Sequence, residues 1–155
     1  MPTRAIAEDF TVVILYEQLV YVGRAMATYL HLRRDLAVDD FATHFRLWRI
    51  EAALSPGLAA EAERDIAEAE VIIMAVNGRQ PCPLAFQRWK LGAGHEGGQP
   101  PHAIITLMDA TAESADTEGS WSNVLRSAGT EIHSEVYICD HSDSPAQGME
   151  LERCT

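Results

Sequence analysis

Val71-Ile72-Ile73-Met74-Ala75-Val76, followed by Asn77-Gly78, is the most apolar stretch of the chain. A strand with one face in water alternates apolar and polar residues, whereas one covered on both faces runs continuously apolar. This run is continuous and ends on a turn dipeptide, so it is expected to be a central strand of a parallel sheet. Thr11-Val12-Val13-Ile14-Leu15-Tyr16 upstream and Ala103-Ile104-Ile105-Thr106-Leu107-Met108 downstream are of the same kind. Phe41 to Ile50, rich in aromatic and β-favouring residues, and the alternating Ile132 to Cys139 complete a set of five expected strands.

Helical spacing fills the intervals. Val22, Ala25, Met26, Tyr29, Leu32 and Leu36 form one apolar stripe, with Arg24, His31, Arg33 and Arg34 largely off it. Ser55-Pro56 reads as an N-cap followed by proline at the first helical position, ahead of the stripe Leu58, Ala62, Ile66 and Ala69. Pro83 opens a third helix through Trp89 and Leu91, with Trp89 read as core, and the glycine-rich stretch Gly92 to Gly98 ends it. Ser120 caps a fourth helix carrying Trp121, Val124, Leu125 and Ala128, for which Gly129 is the expected stop. Strands alternating with helices require right-handed crossovers and helices on both faces of the sheet. At this length the economical solution is an α/β, flavodoxin-like three-layer sandwich with a five-stranded parallel sheet of order 2-1-3-4-5. The expected organisation is an extension over 1–10, one domain over 11–140 and an acidic tail over 141–155.

The composition is that of an ordinary globular domain: 155 residues, 47% apolar and 23% charged. Twelve Lys and Arg against 23 Asp and Glu leave a net charge of −11, which argues against binding to nucleic acid or to an anionic membrane. The last 55 residues hold Arg126 and Arg153 against ten acids, so −8 of that charge lies in about a third of the chain. Met1 to Asp9 mixes Arg4 with Glu8 and Asp9, and the apolar run after it is too short for a spanning helix; a cytoplasmic protein is expected. Cys82, Cys139 and Cys154 show no CxxC spacing and read as reduced thiols.

In an open parallel sheet, ligands bind beyond the carboxyl ends of the strands, near the switch point between strands one and three. Three loops are nominated: Tyr16 to Gly23, Asn77 to Cys82, and Asp109 to Gly119. The first leads into a helix whose free N–H groups suit a phosphate, with Gly23 and Arg24 in support, yet it lacks Ser and Thr, and Glu17 repels an anion. In the second, Gly78 beside Asn77 permits close approach of a flat ring, while two prolines stiffen the exit. The third gathers Asp109, Glu113, Asp116 and Glu118 without a basic residue. Glu17, Asp109 and Asp140 form a conceivable hard-cation set, but acidic loops are more often solvated faces, and no metal is assigned. The six histidines show no HExxH, and in Cys139-Asp140-His141 adjacent strand residues point to opposite faces. There is no GxSxG elbow, P-loop or GxGxxG fingerprint.

The stretch Ala69 to Gly78, continued by Pro81, Pro83-Leu84 and the helix through Trp89-Lys90, resembles the third strand, flavin loop and following helix of flavodoxin-like proteins and NADPH-dependent FMN reductases. Ala103 through Ile132 is similar to their fourth strand, loop, helix and fifth strand. The likeness covers about residues 11 to 140 by order of elements. It implies FMN as cofactor: Gln18, Tyr21, Gly23 and Arg24 on the phosphate side, Asn77, Gly78 and Arg79 beside the ring, and Asp109 on the other ring wall. A redox protein partner would follow from it.

Receiver domains of response regulators share the architecture. Here Tyr16-Glu17 stands where a receiver has paired acids, Val76-Asn77 where its phospho-accepting Asp belongs, and the sole lysine is Lys90. Two functions are therefore carried forward. One is an FMN-binding protein of electron transfer or reduction, and the other a non-enzymatic pseudo-receiver or flavodoxin-derived module acting through a signalling partner or a homodimer.

Overall fold

A computed structural model describes residues 8–38, 41–77, 82–89, 103–108, 120–131 and 135–140. Five strands, β1 (Glu8–Tyr16), β2 (Phe41–Arg49), β3 (Val71–Val76), β4 (Ala103–Met108) and β5 (Glu135–Asp140), form one parallel sheet in the order β2-β1-β3-β4-β5. This is the flavodoxin-like topology expected from the alternation. β3 is central and buried at all six positions, as its unbroken apolar run requires.

Side chains alternate between two cores. Val13, Leu15, Ile72, Met74, Val76 and Ile104 face a layer built from α2 (Ile50–Ala53), α3 (Ala59–Ala67), α4 (Leu84–Trp89) and α5 (Trp121–Glu131). Val12, Ile14, Ile73, Ala75, Ile105 and Leu107 share the opposite core with Ala25 and Tyr29 of α1 (Val22–Val38). Each large apolar side chain taken fully out of water is worth roughly 1.5–3 kcal/mol, so these two layers dominate the stability of the fold.

Several boundaries differ from those read in the sequence. Ser55 does not open a helix: its hydroxyl donates to the Ala52 carbonyl at 2.8 Å, closing the short α2, and α3 begins four residues later behind Leu58. Gly129 does not stop α5 but lies buried within it, and the helix runs to Glu131, with the Thr130 hydroxyl donating back to Arg126. β5 accordingly starts at Glu135. Ser120 caps as expected, its Oγ accepting the Asn123 N–H at 3.2 Å. Among the described residues no helix is long and apolar enough to cross a membrane.

Candidate functional site at the carboxyl edge

The register that pairs Tyr16 with Ala75 brings the first residue past β1 beside the first residue past β3. The two loops are joined there by two hydrogen bonds. The Glu17 N–H donates to the Ala75 carbonyl at 3.0 Å, extending the ladder, and the Glu17 carboxylate accepts the Asn77 N–H at 3.0 Å. At the switch point the two strand ends are thereby tied together through the Glu17 side chain. Burial pushes the Glu17 carboxyl above its ordinary value, with the Asn77 N–H pulling in the other direction.

Beyond Glu17 the chain is extended at Gln18 and then makes a single 3-10 turn, Leu19–Tyr21, before α1. Gln18 contributes its carbonyl to the Tyr21 N–H at 2.9 Å but no side-chain cap. Leu19 and Val20 project at the tip, 72% and 74% exposed. Tyr21 and Arg24 are half-buried, and the Arg24 carbonyl accepts the hydroxyl of the buried Thr28 at 3.1 Å. Gly23 is exposed with open space where a Cβ would stand, so neither conformation nor crowding within the protein demands glycine there.

Of the residues nominated in sequence, Gln18, Tyr21, Gly23, Arg24 and Asn77 are thus gathered at one edge. Gly78, Arg79 and Asp109 lie outside the described residues, as does the acidic loop through Gly119. Glu17 was nominated as an obstacle to anions, and its role as a clamp was missed. Its signal was topological: in a 2-1-3 order, residues just past strands one and three are neighbours.

Cys82 is buried at the start of α4, where its carbonyl accepts the Gln87 amide at 2.8 Å. Burial, reinforced by the charge of Glu17, pushes its thiol up to about 12, so it is neither thiolate nor nucleophile near neutral pH. Behind it Phe86 packs against Trp121 at 4.8 Å between ring centroids, tilted by 60°. The Trp121 indole N–H and the Thr106 hydroxyl, both buried, have no hydrogen-bond partner among the described residues. Comparison with family models, curated proteins and solved structures finds no match for the chain. The fold therefore stands on its topology, and the site on its geometry. That geometry offers a buried neutral thiol and a carboxylate engaged with backbone. Among the described residues no three His, Cys, Asp or Glu side chains converge as a metal site would need.

Proposed function

We propose that this flavodoxin-like protein is a non-enzymatic interaction module that works through contacts with a protein partner, in place of an FMN-dependent electron carrier. The observation that carries this reading is the Glu17 carboxylate on the Asn77 N–H. The resemblance to flavin proteins assigns the loop after β1 to the FMN phosphate and the loop after β3 to the ring. Here a carboxylate heads the phosphate-side loop and takes a backbone donor of the ring-side loop. Repulsion between a phosphate and this partly buried carboxylate is poorly screened. Residues 17–23 supply no Ser or Thr hydroxyl in compensation. The described residues of the edge do not fit the FMN phosphate.

Titration of FMN into the purified protein tests the reading. No change in flavin fluorescence or absorbance is expected at concentrations far above those typical of flavin sites. Stoichiometric flavin retained after removal of the excess would overturn it and restore the redox assignment.

A further inference from the structure

Two strands, β2 and β5, stand at the margins of the sheet with one side unpaired among the described residues, and β2 is the longer, nine residues against six. Every residue of β2 is in register with β1, from Phe41 opposite Glu8 to Arg49 opposite Tyr16, and no strand lies beyond it among the described residues. Alternate backbone N–H and C=O groups of a parallel strand point to opposite sides, so half of those in β2 are directed outward. This edge is about 30 Å long at ~3.3 Å per residue. No bulge, proline, glycine or lysine interrupts it, and these are among the usual devices by which sheet edges refuse new partners.

The side chains along it combine apolar contact with one sign of charge. His44, Phe45, Arg46 and Leu47 are all exposed, Phe45 and Leu47 by 43% and 42%. Phe45, Leu47 and Arg49 share the face that carries α1, with the Phe45 ring against Tyr29 at 4.8 Å, while His44 and Arg46 share the other. Phe41–Arg49 contains no acid at all in a chain with 23. The carboxylates that meet these side chains come from other segments: Asp9 at 3.1 Å from His44, Asp65 at 3.5 Å from Arg46 and Glu51 at 3.8 Å from Arg49. The pairs with Asp9 and Glu51 are exposed and weak, commonly below about 1 kcal/mol, so exchanging either carboxylate for another costs little, whereas Asp65 is partly buried and also accepts the Trp48 indole N–H at 2.7 Å.

We infer that the outer edge of β2 is a docking site for an extended acidic segment of a partner protein, which adds to the sheet as a sixth strand. The inference rests on the interaction-module reading and gives it a surface and a class of partner. Backbone pairing supplies the affinity, Phe45 and Leu47 receive alternate apolar side chains, and His44, Arg46 and Arg49 select carboxylates on either side. A second copy of the chain fits less well, because antiparallel pairing of β2 with itself opposes strands that both carry only basic charges. The net charge of −11 does not prevent docking, since screening over about 8 Å at physiological ionic strength leaves the local strip to decide.

The probe is a fluorescein-labelled nonapeptide alternating glutamate and valine, compared by anisotropy with one carrying lysine for glutamate. The acidic peptide is expected to bind saturably and the lysine peptide not; Arg46→Glu, on the face that receives the glutamates when the valines meet Phe45 and Leu47, weakens the first by about tenfold or more and favours the second. Leu47→Ser also weakens binding, with circular dichroism confirming the fold of both variants. Hydrogen exchange on the unaltered protein supplies a readout independent of any substitution: amides of residues 42–49 gain protection when the acidic peptide is added. Absent binding, equal binding of both peptides, or protection outside β2 overturns the docking site. So does a concentration-dependent dimer that excludes the peptide, which assigns the edge to a second copy. Failure of the peptide with no FMN bound removes the β2 site alone, whereas FMN bound with peptide still docking removes the module reading alone.

Discussion

The carboxyl end of the sheet and the outer flank of β2 treat their backbone groups in opposite ways. At the carboxyl end the loops after β1 and β3 satisfy one another through Glu17, and a neutral thiol and an aromatic pair are packed close behind. Along β2 a nine-residue ladder is complete on one side and directed outward on the other, beneath exposed Phe45 and Leu47. The rule for open parallel sheets directs attention to the first region. The row of backbone groups without a strand partner among the described residues lies in the second. A shared topology thus identifies where a site can form, but the side chains at that point decide whether it is left open.

The widest separation between the regions is expected in stability. Trp121 is 1% exposed and seated on Phe86, so Trp121→Ala should cost about 3–5 kcal/mol through lost burial and a cavity. Leu47→Ala at the flank should cost under about 1 kcal/mol, because its side chain already meets solvent. Urea unfolding monitored by circular dichroism reads both values. A large loss at Leu47 would mean that the flank is structural, and its exposed apolar residues would no longer call for a partner.

Reactivity makes a second contrast. With its thiol raised from 9.0 to about 12, Cys82 has a thiolate fraction at pH 8 on the order of 10³-fold below that of an unperturbed thiol. Alkylation by iodoacetamide, followed by mass mapping of the peptide containing Cys82, should therefore be very slow in the folded protein and rapid in urea. Fast labelling without denaturant would show that the carboxyl end opens readily. Linkage has the same origin: the unfolded chain loses this proton at lower pH than the folded one, so Cys82 subtracts stability as pH rises above about 9.

How much of this was legible depends on the range of the interactions involved. β3 and β4 begin and end at the residues their apolar runs suggest, because full burial leaves a continuous signal with sharp limits. β1 extends back to Glu8 because its ladder with β2 outlasts its apolar run. Gly129 was read by local propensity as a stop, yet burial of that turn of α5 outweighs a cost of about 1 kcal/mol for glycine in a helix. Ser55 shows the same limit, since its hydroxyl has two helix ends within reach and only packing selects α2. In the site, the position of Glu17 was legible and its partner was not: the Asn77 N–H is sixty residues away and becomes a neighbour through strand order.

The smallest effect bears most directly on how the two strand ends are tied together. Burial makes the charged form of Glu17 less favourable in the fold than in the unfolded chain, and the Asn77 N–H recovers part of that cost. A carboxyl whose folded value is raised contributes fully below its unfolded value and loses that contribution as pH climbs through the folded one. Glu17→Gln keeps an acceptor for Asn77 and removes the charge. Its advantage over the unaltered protein should then be present at pH 7.5 and fade as pH falls toward about 3, where the Glu17 carboxyl is protonated in the folded and the unfolded chain alike. The gain should stay under about 1 kcal/mol, because the group is half in solvent and its electrostatics are screened accordingly. Comparing urea midpoints of the two proteins at each pH cancels every other titration to first order. A variant less stable than the parent at pH 7.5 would reverse the balance: the negative charge itself would be holding the Asn77 N–H, and the clamp at the switch point would be an electrostatic one that acid should open.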